Sequence, residues 1–207
     1  MSITLILVIV TALISYQAFN NPTMFQKLTH TPYLVERDRE YYRFLSSGFV
    51  HADWMHLIIN MYVLYEFGSY VEDKFVIYFG PMMGRLNFLI LYLLTLLLSD
   101  IPSYLKHRGN PHFSSVGASG AVSGIIFVFV LMNPWSILLL FFIIPIPAII
   151  AAVLYLVYSS WASRQGRGRI NHDAHFYGAV FGLLIALLMK PSLFEVFWDR
   201  LWHSGLF

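Results

Sequence analysis

Six apolar segments divide the chain, at roughly residues 3–19, 54–71, 86–104, 117–132, 135–161 and 174–190. A helix that crosses a bilayer needs roughly 20 mostly apolar residues, and these segments lie near that length. Composition agrees. The 207 residues are 58% hydrophobic and only 12% charged, about half the roughly 25% charged content of a soluble domain. The expected fold is an all-α, multi-pass membrane protein, a single domain over residues 1–207.

Local signals sharpen the segments. No Lys or Arg precedes Ile3–Phe19, so this stretch reads as a retained first helix rather than a signal peptide. Asn133-Pro134 ends the fourth segment and Lys190-Pro191 the sixth. In the fifth, Pro145 and Pro147 interrupt the apolar run. Proline fits a first helical turn but breaks the bond ladder further in. The fifth helix is therefore expected to start near Pro147, with residues 135–144 as an apolar interfacial or re-entrant stretch. One long kinked helix is the alternative. Residues 20–53 are too aromatic for a disordered linker and too long for a minimal turn, so a structured loop packed on the membrane face is expected.

Several classes of chemistry are excluded. The chain has no cysteine, which removes disulfides, thiolate metal sites and a cysteine nucleophile. A net charge of +2 without a basic stripe gives no support for nucleic-acid binding.

Polar side chains are penalised in hydrocarbon, so those in apolar helices are functional candidates. Ser119, in Gly117-Ala118-Ser119-Gly120, falls in the first turn of the fourth helix. Unpaired N–H groups and the helix dipole there favour a developing oxyanion. His175 falls in the first turn of the sixth helix. Gly120-x-x-x-Gly124 and Gly178-x-x-x-Gly182 are small-residue ridges suited to close helix contact. If they pack together, serine and histidine meet at the same end of two helices running the same way. Taken separately, each has a plainer reading: a helix cap, an interfacial histidine, simple packing. Together they suggest nucleophile and base.

His56 and Asn60 share a face of the second helix at i,i+4 and are residue types that hold oxyanions. Interhelical hydrogen bonding is the plainer role. Clustering of His51, His56, His172 and His175 around a metal is a competitor, but no H-E-x-x-H or carboxylate at ligand spacing supports it. No metal and no cofactor is expected. Asp173 lies two residues before His175, pointing to another side of the helix, and Asp53 starts the second helix. Neither completes a triad, and a Ser–His dyad suffices in principle.

These motifs together resemble the rhomboid family of intramembrane serine proteases. Gly117-Ala118-Ser119-Gly120 is similar to its GxSG box, and Ala174-His175-Phe176-Tyr177-Gly178-Ala179-Val180-Phe181-Gly182 to its AHxxGxxxG helix. His51 through Asn60 is similar to its HxxxxHxxxN helix. In the first loop Tyr42 stands, before Arg43, where the family usually has Trp. The resemblance spans roughly residues 40–190. It implies a six-transmembrane-helix rhomboid-like bundle with Ser119 as nucleophile and His175 as general base. His56, Asn60 and the Ser119 N–H would hold the oxyanion, with Gly117 and Ala118 lining the same oxyanion and substrate pocket. It also implies transmembrane-helix protein substrates, a lipid bilayer as the medium, and an integral, multi-pass location in the plasma (inner) membrane.

Charge distribution is at odds with one implication. With six spans, Lys27, Arg37, Arg39, Arg43, Lys106, Arg108, Arg164, Arg167 and Arg169 share one side, against Lys74, Arg85, Lys190 and Arg200 on the other. The positive-inside rule puts the richer side in the cytoplasm. The family resemblance implies the reverse, and the family orientation is adopted here. Two other functions remain open at this stage: a non-catalytic relative that binds membrane clients, and a channel or small transporter.

Overall fold

The computed structural model describes residues 2–140, 143–165 and 171–203. It is mostly helical. The helices are α1 (Ile3–Phe19), α2 (Pro22–Leu28), α3 (Pro32–Asp38), α4 (Arg43–Ser46), α5 (Trp54–Phe79), α6 (Pro81–His107) and α7 (Ser119–Met132). A hairpin of β1 (Ile137–Leu140) and β2 (Ile144–Pro147) follows, then α8 (Ala148–Gln165), α9 (His172–Met189) and α10 (Ser192–His203). Each of the six apolar segments overlaps one of the long helices. Of these, α6 and α9 are long and apolar enough to cross a membrane, while α1, α7 and residues 148–163 of α8 are shorter apolar helices.

Helix ends follow local chemistry. Asp53 accepts the His56 N–H at 2.8 Å and so caps α5. Gly80, at φ +81°, turns the chain, and Pro81 opens α6 where its missing N–H costs nothing. Asn171 caps α9 through the Ala174 N–H at 3.1 Å. The carboxylate of Glu72, buried in α5, caps a different helix. It accepts the N–H groups of Ile3 and Thr4 and the hydroxyls of Ser2 and Thr4, all at 2.7–2.9 Å. This explains why α5 runs beyond the apolar stretch at 54–71.

The core lies around α7, almost all of whose residues are buried. Leu64, Val71, Phe75, Phe88, Leu91 and Ile125 pack there with no exposed surface. The α7–α9 seam is main chain against main chain. A Cβ on Gly178 would lie 2.8 Å from the carbonyl carbon of Gly120, and one on Gly124 would lie 2.9 Å from the Gly178 carbonyl oxygen. The two glycine ridges thus mesh in parallel, 120 with 178 and 124 with 182.

The structured first loop contains α2, α3, α4 and a 3-10 turn at Ser47–Phe49. Arg43 is buried at its centre. It binds Glu40 at 2.5 Å and the carbonyls of Gln26 (2.9 Å) and Thr29 (2.6 Å). Tyr42 lies under the Arg43 guanidinium, 5.4 Å from ring centre, and donates its hydroxyl to the Lys27 carbonyl at 3.2 Å.

Two elements depart from the expected reading: a β-hairpin breaks the all-α expectation, and a further helix follows the six apolar segments. Residues expected as an interfacial or re-entrant stretch form an antiparallel hairpin, with Ile137 opposite Pro147 and Leu139 opposite Pro145. The Ala148 N–H donates to the Ser136 carbonyl at 2.8 Å. Even-numbered residues therefore face β1, and both prolines turn their missing N–H to the free edge, where proline is tolerated. The second departure is α10. Leu193 is buried beneath it, while Phe194, Trp198 and Trp202 form an exposed aromatic row at four-residue spacing. Arg200 ties it to Asn133 at 2.9 Å and to the Met132 carbonyl. Of the loop charges counted above, Arg167 and Arg169 lie outside the described residues.

Candidate active site

The first turn of α7 is open. Ala118, at the cap position, has no side-chain acceptor to offer, and the Ser119 N–H, first of the helix, has no intrahelical partner. Gly117 stands at φ +115°, where an L side chain is strained. A Cβ there would also meet the His56 ring, 2.6 Å from Cε1 and 2.9 Å from Nε2. This glycine therefore lets the His56 imidazole close over the backbone just before Ser119.

His175 Nε2 lies 2.7 Å from Ser119 Oγ. That is hydrogen-bonding distance, across 56 residues of sequence. The neutral ring accepts the serine proton when Nδ1 carries its hydrogen. Tyr155, on α8, stacks near His175 at 6.1 Å and 18°, and its hydroxyl lies 2.6 Å from Ser123 Oγ. His172 meets His175 edge-on at 5.9 Å. Both neighbours restrict the ring's orientation.

The other expected residues divide. Asn60, almost wholly buried, donates one amide hydrogen to the His56 carbonyl at 2.8 Å, which leaves its second. His56 lies beside Gly117, as above. The N–H groups of Gly117 and Ala118 are already engaged. Gly117 donates to the Ser47 carbonyl at 2.9 Å and Ala118 to His51 Nε2 at 3.3 Å. These two residues shape the pocket wall without free donors. Asp173 is held away from His175 by Lys106 at 2.9 Å and by the Ser163 hydroxyl. Asp53 is the α5 cap.

Sequence placed His51 only in a resemblance motif and in a candidate metal cluster. It is fully buried between Ser15 Oγ (3.0 Å from Nδ1) and the Ala118 N–H. Burial, then the neighbouring His56, pushes its pKa down to about 3, with Asp53 opposing. A neutral ring is what the Ala118 bond needs, because only an unprotonated Nε2 accepts. His30, in the first loop, is likewise pushed down to about 4 by burial and by Arg43. His30 exchanges backbone bonds with Ser115 at 3.0 Å in both directions, tying the first loop to the strand of chain before Ser119. Tyr155 and His30 lacked any spacing signal linking them to Ser119. Among the described residues, no three His, Cys, Asp or Glu side chains group in a way that would hold a metal ion.

A family model described as "Rhomboid domain" matches residues 38–192. This chain belongs to the rhomboid family. It is 30% identical over 168 residues to Rhomboid-like protein 11, chloroplastic, of Arabidopsis thaliana, which covers 76% of this chain and 56% of that protein. It is 29% identical over 170 residues to Rhomboid protein 1, mitochondrial, of Saccharomyces cerevisiae, covering 78% and 45%. With Rhomboid protease GlpG of Haemophilus influenzae it shares 30% identity over 103 residues, covering 49% and 48%. The chain thus spans about half the length of the curated relatives it matches. The rhomboid family is membrane-embedded.

Proposed function

We propose that this rhomboid is an intramembrane serine endopeptidase that cuts transmembrane substrates with a Ser119–His175 dyad. The observation that carries the reading is the 2.7 Å Oγ···Nε2 contact beside an uncapped helix start. In this mechanism Ser119 Oγ attacks the scissile carbonyl while His175 Nε2 takes its proton. The Ser119 N–H, the His56 ring and the free Asn60 amide hydrogen stabilise the oxyanion. Collapse of the tetrahedral intermediate breaks the C–N bond, and His175 returns the proton to the departing amine. Water then attacks the acyl-enzyme, again with His175 as base, and releases the second product and the serine hydroxyl. No cofactor takes part.

The proposed architecture is one membrane domain over residues 1–207, with α1, α5, α6, α7, α8 and α9 as its six spans. The 14 residues of α7 extend about 21 Å, less than the roughly 30 Å hydrocarbon core. A helix that short, surrounded by longer ones, starts below the lipid surface. That supports a serine sunk to shallow depth yet reachable by water through the polar pocket. A substrate helix hides its carbonyls in its own hydrogen bonds, so its end must unwind before attack. Chloroplast and mitochondrial names stand beside a bacterial GlpG among the relatives, so the proposed location is an integral membrane position without a named compartment.

The test is cleavage of a transmembrane reporter in liposomes, with Ser119→Ala beside the unaltered chain. Cleavage should vanish in the variant. Labelling by a fluorophosphonate should also be lost in His175→Ala. Equal cleavage by Ser119→Ala would sink the Ser119 assignment, and no cleavage by the unaltered chain would leave a client-binding role.

A further inference from the structure

The carboxyl of Asp100 has no part in the mechanism above, yet it is buried in α6 among Leu96, Ser99 and Ser103. A polar group so placed is costly unless hydrogen-bonded, and an apolar residue would serve packing as well or better. Its partners lead to both halves of the dyad. Oδ1 accepts from Asn171 Nδ2 at 3.4 Å. Oδ2 lies 3.7 Å from Nδ1 of His30, the residue bridged to Ser115 ahead of the nucleophile. Asp100, Asn171, Ser115 and Ser119 also line one polar cavity of about 10 Å³.

Asn171 matters because an amide side chain has two unlike ends. Its oxygen accepts the Ala174 N–H at 3.1 Å and the Ser103 hydroxyl at 2.8 Å. That is the cap of α9, four residues before His175. If the amide flipped, an NH2 group would face the Ala174 N–H, an obligate donor, and the cap would be lost. Asp100 is the acceptor that fixes the amide with its nitrogen on the α6 side. We propose that Asp100 is a positioning residue: it locks the Asn171 amide so that its oxygen caps α9, and so holds His175 in register with Ser119. This rests on the protease reading for its effect on chemistry, but not for its effect on the helix start.

The roles should be exchangeable. Asn171→Asp puts two carboxyls face to face and removes the donor. Asp100→Asn with Asn171→Asp restores a donor at 100 and an acceptor at 171. Two readouts apply to the full chain in detergent: amide hydrogen exchange at Ala174 and His175, and the rate of Ser119 labelling by a fluorophosphonate. Loss of a cap corresponds to about tenfold in either. Asp100→Leu should speed exchange and slow labelling by about that factor, and Asn171→Asp should do the same because repulsion from the Asp100 carboxylate turns the new carboxylate off the helix start. Asp100→Asn alone keeps an acceptor and should stay within about threefold of the unaltered chain, a span well inside the cap effect. The double variant should recover most of what Asn171→Asp loses. Unchanged exchange in both Asn171→Asp and Asp100→Leu, or a double variant no better than Asn171→Asp, would overturn the assignment. A chain that never labels while exchange follows this pattern would refute the protease reading and keep the cap.

Discussion

The α7–α9 seam sets the dyad, so a single methyl group in it should disable the site. Gly178→Ala places a Cβ 2.8 Å from the Gly120 carbonyl carbon and 3.0 Å from its Cα, and closer still to the carbonyl oxygen. Carbon contacts need roughly 3.5 Å. Both obstacles are backbone, so no rotamer change relieves them, and the helices must part by roughly 1 Å. Ser119 and His175 are each within one turn of this contact. Their 2.7 Å separation would then open past the range of a good hydrogen bond. A displacement of that size near reacting groups costs roughly 100-fold in rate, and the overpacking costs about 1–3 kcal/mol in stability. The assay is the fluorophosphonate labelling rate beside a thermal melt in the same detergent. Gly109→Ala is the control, since a Cβ there meets nothing within 4 Å. Labelling of Gly178→Ala at the unaltered rate would show that the seam does not govern the dyad.

Three other outcomes are expected. His56→Ala should lower the cleavage rate roughly 100-fold or more through loss of an oxyanion donor, with Ser119 still labelled; unimpaired cleavage would remove His56 from the site. Glu72→Ala strands the four donors of Ser2, Ile3 and Thr4 and should cost about 2–4 kcal/mol, read as a lowered melting temperature, whereas an unchanged melt would mean α1 holds without its cap. The third concerns pH. His30 and His51 have pKa values of about 4 and about 3 when folded, below the ordinary 6.5. The unfolded chain therefore binds their protons first. Their contribution to stability is complete above pH 6.5 and is lost as pH falls toward those values, by up to about 1.4 kcal/mol per pH unit for each. Melts from pH 8 to pH 4 should fall below pH 6.5, and less steeply in His30→Gln.

Much of the fold could be read from residue order alone. The first apolar segment coincides with α1, and a start near Pro147 anticipated α8 to within a residue. Glycine spacing correctly paired α7 with α9, because only small residues permit that closeness. The extension of α5 to Phe79 was hidden, since Glu72, Asp73 and Lys74 look like a loop until Glu72 is seen capping α1. The hairpin was hidden because alternate prolines signal a broken helix as readily as a free strand edge. In α10 the Phe194, Trp198 and Trp202 period was present but lay beyond the Lys190-Pro191 stop. At the site, sequence brought Ser119 and His175 together. It left Gly117 and Ala118 as pocket residues with no hint that Ser47 and His51 take their N–H groups. It also passed over Asp100, whose partners are some 70 residues away in either direction.

Glycine facing glycine along α7 and α9 leaves no compressible layer between the two backbones. Lipids that thin or thicken around the protein act on helices by tilting them. Here such a tilt moves the joined pair as one rigid body. Under the proposed protease function, bilayer thickness would then tune how deeply a substrate must be drawn in, while the spacing between Ser119 and His175 stays constant from one membrane to another.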